Sequence, residues 1–259
     1  MMTDPVTTYE DAFTRIAELQ NLKPEVIWES EADTISIWTR SASSAFAPRV
    51  YISAGIHGDE PCGPDALLRF LELHQLSNAC DWVIAPLLNP SGFKAGTREN
   101  CDGIDLNRDF FRKESGEIRA FTSWWESQSR GCDLHFSLHE DWETTGLYLY
   151  EINTSAMASF AGAVLDSIRK FVPLEDCGPI DGHELSAPGL IVHEPEPDEA
   201  FGWPEAIWLV KQYPVLSLTL EAPGHIARGF RTSALLTALT SAVVEAEALA
   251  DDASRWLWP

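Results

Sequence analysis

Val50-Tyr51-Ile52-Ser53-Ala54-Gly55-Ile56 runs directly into His57-Gly58-Asp59-Glu60-Pro61. The first seven residues are apolar and rich in β-formers, as in a strand covered on both faces. Pro61 suits the first turn of a helix, where a missing N–H costs nothing. His57 to Glu60 therefore form a turn between a strand and a helix. A residue before proline is driven out of the α region, so Glu60 should be extended. That bend lets His57 and Glu60 converge on one ion, whereas an HExxH site needs its two histidines one turn apart on a helix.

Outward from this junction the same alternation recurs. Strands are expected at Thr34 to Trp38, Arg49 to Ile56, Trp82 to Leu88, Cys132 to Leu138, Leu147 to Glu151 and Val215 to Leu220. Helical spacing marks residues around 7 to 20, then Pro61 to His74, Glu114 to Ser129, Ser155 to Phe171, Pro204 to Lys211 and Thr232 to Ala250. Strands separated by helices of this length predict βαβ units and a mixed, mostly parallel sheet covered on both faces, an α/β fold. The stretch from Glu175 to Phe201 stands apart. It is rich in Pro, Gly and acids, the composition of a lid, a substrate loop or a plain solvated loop.

Two more strand ends carry polar residues. In Asp133-Leu134-His135-Phe136-Ser137-Leu138-His139, the apolar residues alternate, so His135, Ser137 and His139 share a face. His135 and His139 lie about 13 Å apart at strand rise and cannot bind the same metal. His139 stands at the carboxyl end, where open α/β sheets place their ligands, and is the expected metal ligand. His135 is expected to be a hydrogen-bonded core residue. Glu221 follows Val215 to Leu220 and precedes Ala222-Pro223-Gly224, so it too sits at a strand's carboxyl end. His57, Glu60 and His139 offer two imidazoles and a carboxylate, a donor set that suits one Zn²⁺ per chain and leaves a coordination position open.

Composition narrows the partners. The 259 residues, 45% of them apolar and including 10 Trp and 12 Phe, suffice for a sizeable core and are read as one domain over 1–259. Forty acidic against 18 basic residues give a net charge of -22. Such a surface repels nucleic acid and anionic membranes over a Debye length of about 10 Å. The start, Met1-Met2-Thr3-Asp4-Pro5, lacks a basic segment followed by an apolar one, and no unbroken run of 18 apolar residues occurs. Five cysteines in no CxxC spacing suit reduced thiols. The expectation is a cytoplasmic protein that binds neither nucleic acid nor membrane.

Asn89-Pro90-Ser91-Gly92-Phe93, continuing through Gly96-Thr97-Arg98 to Asp105-Leu106-Asn107-Arg108-Asp109-Phe110, carries a family resemblance. Together with the segments from His57 to Glu221 it resembles the zinc metallocarboxypeptidases, including bacterial cytosolic members and the related succinylglutamate desuccinylase and aspartoacylase branch. The resemblance implies an α/β/α sandwich around a mixed sheet of about eight strands. It implies that His57, Glu60 and His139 hold zinc, that Arg98 polarises the scissile carbonyl, that Asn107 and Arg108 grip a substrate carboxylate and that Glu221 is the general base. Each role is chemically apt. Arg98 supplies a permanent cation where negative charge develops, and Arg108 can fork onto a carboxylate as Lys could not.

The implied substrate is a small peptide or an N-acyl amino acid with a free carboxylate. The function expected is a metallocarboxypeptidase; the alternatives are an N-acyl amino acid deacylase and an inactive metal or ligand-binding module. Against the third, binding alone requires neither Glu221 nor Arg98. Of the neighbours, Cys62 reads as a small buried thiol. Asp59, Asp105 or Asp141 could orient ligating imidazoles or guanidinium groups. Glu140 and Glu143 read as solvated, and Trp142, Tyr148 and Tyr150 as packing or wall residues. The sequence departs from the family in one respect. Between Leu190 and Glu221 the sole tyrosine is Tyr213, badly placed for the mobile tyrosine of many carboxypeptidases, so Phe201, Trp203 or an acid of the 194–199 segment is expected to cover the site.

Overall fold

A computed structural model describes residues 4–44 and 46–251; Met1 to Thr3 of the opening stretch lie outside the described residues. The chain runs through α1 (Pro5–Leu19), β1 (Lys23–Glu29), β2 (Thr34–Arg40), β3 (Arg49–Ala54), α2 (Cys62–Leu73), β4 (Asp81–Ala85), α3 (Pro90–Ala95) and α4 (Gly116–Ser127). It continues through β5 (Leu134–Asp141), β6 (Tyr148–Asn153), α5 (Ala161–Ile168), β7 (Leu190–Val192), α6 (Glu205–Gln212), β8 (Leu216–Pro223) and α7 (Arg228–Asp251).

The eight strands form one sheet in the order β1-β2-β4-β3-β5-β8-β6-β7. β3 pairs in parallel with β4 and with β5, β5 with β8, and β6 with β7. The pairs β1/β2, β2/β4 and β6/β8 are antiparallel. The sheet is mixed and mostly parallel, as expected. From β3 the chain crosses to β4 on one side and later returns as β5 on the other, so the connections diverge at the carboxyl ends of β3 and β5. A crevice opens at such a switch point.

The alternation along each strand builds two cores. Val50, Ile52, Leu134, Phe136, Leu216 and Leu218 face a layer of α1, α2, α5 and α7. Tyr51, Val83 and Ile37 face Ile118, Phe121 and Trp125 of α4 and Ile207 and Leu209 of α6. Both faces are covered, giving an α/β/α sandwich. Among the described residues one helix, Arg228–Ala250, is long and apolar enough to cross a membrane by length and composition. Ala234, Leu235, Ala238, Leu239, Ala242, Val243 and Ala246 are buried in the core that α2 and α5 share with it, at the spacing of one helix face.

Three local expectations are corrected. β1 was not expected, because Lys23-Pro-Glu-Val-Ile-Trp-Glu is a largely exposed edge strand with no apolar alternation, and an edge is where a strand tolerates proline. α5 begins at Ala161 rather than Ser155: the Asn153 side chain accepts from the Ser155 N–H at 3.0 Å and donates to the Met157 carbonyl at 2.9 Å, holding this stretch as a turn. The 175–201 segment contains the short strand β7, paired with β6.

Candidate metal centre

The turn after β3 is shaped by glycine. A Cβ on Gly58 would stand 1.9 Å from the Gly92 carbonyl carbon, and one on Gly63 would stand 2.8 Å from the Leu138 carbonyl oxygen. Only hydrogen fits at Gly58, and the start of α2 lies directly against the end of β5. This close approach carries Glu60 to His139. The Glu60 carboxylate sits between the two rings, with Oε1 2.6 Å from His57 Nδ1 and Oε2 3.0 Å from His139 Nδ1. The Glu140 backbone N–H donates to Oε2 at 3.0 Å and fixes its orientation. All three residues are buried, and the candidate ligand atoms lie within 4.8 Å of one another.

The donor set fits a zinc ion: two neutral imidazole nitrogens and a carboxylate on one small focus, with Nδ1 of both rings turned inward. His57 Nε2 is buried without a hydrogen bond, yet lies 3.3 Å from Asp105 Oδ1, the arrangement of a carboxylate that orients a ligating imidazole. Burial raises the Glu60 carboxyl, but the imidazoles of His139 and His57 outweigh it and bring it down to about 2. The carboxylate is thus ionised and available to a cation.

Asp105 is the neighbour that orients the cluster. Its Oδ2 accepts from Arg98 Nε at 2.8 Å, and its Oδ1 accepts from the Asn107 N–H at 2.9 Å, starting the 3₁₀ turn Leu106–Arg108. Its carboxyl is held below the ordinary range despite burial, chiefly by the adjoining His57 imidazole and then by Arg98 and Arg108. Arg98 Nη1 lies 3.6 Å from Glu60 Oε1, so the guanidinium borders the cluster while its side chain stays 39% exposed. Its backbone is set by Asn89, which accepts from the Gly92 N–H at 2.8 Å to cap α3 and donates to the Arg98 carbonyl at 3.1 Å. Asn107 is buried and its Oδ1 accepts from the Glu205 N–H at 2.9 Å, tying the 3₁₀ turn to the start of α6. Arg108 is exposed, and its Nη1 donates to the Asn107 carbonyl at 3.0 Å.

Glu221 lies opposite His139 in the β5/β8 register and opposite Tyr148 in the β6/β8 register. Burial above all pushes its carboxyl up to about 8, against the pull of His139 and with the push of Glu60 and Asp141. His135 is elsewhere, fully buried. Its Nδ1 meets Ser217 Oγ at 2.9 Å, its Nε2 meets Ser53 Oγ at 3.2 Å and Glu205 Oε2 at 3.5 Å, and its ring stacks on Tyr51 at 5.0 Å.

Glu140, expected to be solvated, is buried: it accepts from the Cys62 N–H at 2.8 Å and pairs with Arg231, because β5 runs on past His139 beneath α7. Burial and the neighbouring Glu140 push the Cys62 thiol up to about 12, which leaves it inert as a metal ligand. Tyr213 packs under Gly131 and against Trp125 in the α4/α6 core, far from the role of a clamp. Phe201 and Trp203 instead meet Phe111 at ring distances of 5.5 and 5.0 Å, and a Cβ on the intervening Gly202 would stand 2.8 Å from Glu199 Oε2. Sequence reading missed Glu205 altogether, since a lone acid before an apolar helix carries no signal of burial.

Residues 47–171 match the succinylglutamate desuccinylase/aspartoacylase catalytic domain. Carboxypeptidase E of Caenorhabditis elegans is 37% identical over 87 residues, which cover 24% of this chain and 18% of that protein. The chain's sequence match thus spans less than a fifth of that relative's length. In fold, the chain resembles a metallopeptidase candidate from Shewanella amazonensis, with a TM-score of 0.79, 24% identity and 93% of each chain covered. It also resembles a metallo-carboxypeptidase from Burkholderia cenocepacia, with a TM-score of 0.66, 18% identity, and 93% of this chain and 69% of that one covered. The chain thus resembles metallocarboxypeptidases in fold, and residues 47–171 are similar to one catalytic-domain family. In this fold, β3, β5 and β8 deliver His57, Glu60, His139 and Glu221 to one end of the sheet.

Proposed function

We propose that this chain is a zinc metallocarboxypeptidase that hydrolyses the amide bond beside the terminal carboxylate of a small peptide, with His57, Glu60 and His139 as the ligands of one Zn²⁺. The observation that carries this reading is the Glu60 carboxylate seated between His57 Nδ1 and His139 Nδ1, with Glu221 opposite His139 on the adjacent strand. Zinc held there supplies a Lewis acid that lowers the pKa of water to about 7 and draws charge from a carbonyl oxygen.

The chain's own groups do the rest. Glu221 takes the proton from the attacking water and passes it to the leaving nitrogen. Burial raises the Glu221 carboxyl and the charge of a bound cation would lower it, so the group can both accept that proton and release it. Arg98, anchored by Asp105, faces the carbonyl oxygen and stabilises the negative charge that forms on it, a contribution of about 3 to 4 kcal/mol for comparable donors. Arg108 and the Asn107 amide group hold the substrate carboxylate, and Phe201 and Trp203 shield it from water. Asp105 keeps the His57 ring in the tautomer whose Nδ1 is free to ligate.

The match of residues 47–171 to the succinylglutamate desuccinylase/aspartoacylase catalytic domain favours a second reading, an N-acyl amino acid deacylase with the same residues in the same roles. The test is a screen of dipeptides and N-acyl amino acids on zinc-loaded protein. Turnover of dipeptides alone supports the peptidase; turnover of N-acyl amino acids alone would replace it with the deacylase, and neither class turning over would leave the binding module.

A further inference from the structure

His183, His193 and Asp198 form a second group whose ligand atoms lie within 4.8 Å of one another, well separated in sequence from the first. The two histidines are fixed by different pieces of backbone. Ile180 and His183 exchange hydrogen bonds of 3.0 and 2.8 Å across Asp181 and Gly182, both at positive φ, a two-residue turn that sets His183. The His193 N–H donates to the Glu151 carbonyl at 2.8 Å, which locks this residue to β6 just after β7. The two imidazole rings stand 4.4 Å apart, and the Tyr150 ring is edge-on to both at 6.0 Å. The His193 side chain is only 10% exposed.

Both Nε2 atoms turn to one carboxylate, His183 to Asp198 Oδ2 at 3.2 Å and His193 to Asp198 Oδ1 at 3.4 Å. His193 Nδ1–H donates to the Glu194 carbonyl at 2.5 Å, which commits the neutral ring's proton to that side. Its Nε2 lone pair then faces an acceptor oxygen with no proton between them. A ligating histidine that gives its other N–H to a backbone carbonyl is the usual way a metal-binding tautomer is fixed. Two imidazoles exclude Mg²⁺ and Ca²⁺, which want all-oxygen shells, and suit a borderline transition ion.

We infer that His183, His193 and Asp198 bind a second Zn²⁺-class ion, which staples the 180–198 segment to β6. Tyr150 and Tyr148 stand between this ion and Glu221: their rings are 5.6 Å apart, and Tyr148 is the strand partner of Glu221. The staple therefore holds the loop that flanks the proposed catalytic site and takes no part in its chemistry. The inference stands independently of the roles assigned to His57, Glu60 and His139.

The experiment is zinc content by elemental analysis after equilibration with Zn²⁺ and gel filtration, with far-UV circular dichroism as the check on folding. Wild-type protein should hold about two ions per chain, and the His183→Ala/His193→Ala double variant about one. Because Asp198 is exposed, Asp198→Asn serves if the double variant fails to fold, and should weaken the second ion at least tenfold. Zn²⁺ should also slow proteolytic cleavage within 180–198 in wild type and leave the double variant's cleavage unchanged. A double variant or Asp198→Asn that keeps the wild-type zinc content would overturn the inference and leave the cluster a protonated histidine pair on Asp198. Zinc lost from the double variant but not from His139→Ala would uphold it while removing the first site instead.

Discussion

His135 and His139 stand on the same strand and the same face, four residues apart, and are opposite in character. His135 is saturated: Ser217, Ser53 and Glu205 meet its nitrogens and Tyr51 covers its ring. His139 has the Glu60 carboxylate on Nδ1, and that carboxylate is shared with His57. A buried polar residue with all its bonds made contributes specificity to a core. Two imidazoles and a carboxylate that converge on one point are the donor set the proposed zinc site calls for. The difference comes from position. His135 lies under α6, where Glu205 can reach it, and His139 lies at the sheet's end, where the connections diverge.

The largest effect expected from breaking this contrast is on metal. His139→Ala should lose most of the first-site zinc, and hydrolysis with it, while His135→Ala should keep the zinc and lose stability by about 3 to 5 kcal/mol, since Glu205 is left buried without its histidine. Elemental analysis alongside urea unfolding reads both. Equal metal loss in the two variants would sink the division between the histidines.

Next in size is Glu221→Gln, which should retain fold and zinc while turnover falls by about 10² to 10⁴-fold, because an amide cannot carry the proton. Substrate affinity should persist, as Arg98, Asn107 and Arg108 are untouched. Unchanged hydrolysis would mean another base; Glu140, held by Arg231 and the Cys62 N–H, is poorly free to serve. Smaller again, amidation of the substrate's terminal carboxylate should lower kcat/KM at least tenfold by removing the charge-assisted bonds to Arg108. Indifference to amidation would argue for endopeptidase-like or esterase chemistry.

The contrast also marks what was legible in the chain. Alternation in Leu134 to Leu138 and strand rise sufficed to separate His135 from His139, and the apolar runs located six of the eight strands. β1 and β7 escaped because each is short of buried residues, and edges are held by backbone pairing with little help from side-chain pattern. Asp105 was one of three equivalent acids until its contacts to Arg98 and His57 were known. Glu205 and Glu140 were invisible for one reason: their burial is created by strands and helices distant in sequence, and a carboxylate carries no local sign that Arg231, or a histidine and a tyrosine, will come to meet it.

Glu205 supplies the finest test. Burial raises its carboxyl, but hydrogen bonds from His135, Tyr51 and Ser53, the last two at 2.6 and 2.7 Å, outweigh this and hold it below its ordinary 4.5. A group whose pKa is lower folded than unfolded stabilises the fold fully above its unfolded value, and the contribution fades as pH falls through the folded one. Wild-type stability should therefore drop as pH goes below about 4.5, and Glu205→Gln should flatten part of that fall while costing about 1 to 3 kcal/mol at pH 7. Each pKa unit corresponds to about 1.4 kcal/mol, so the two unfolding curves should converge in acid. Metal content is unaffected, because Glu205 serves His135 and not His139. Parallel pH slopes for wild type and Glu205→Gln would show that the carboxylate is neutral in the fold, and the His135 network would then be held by hydrogen bonds without charge.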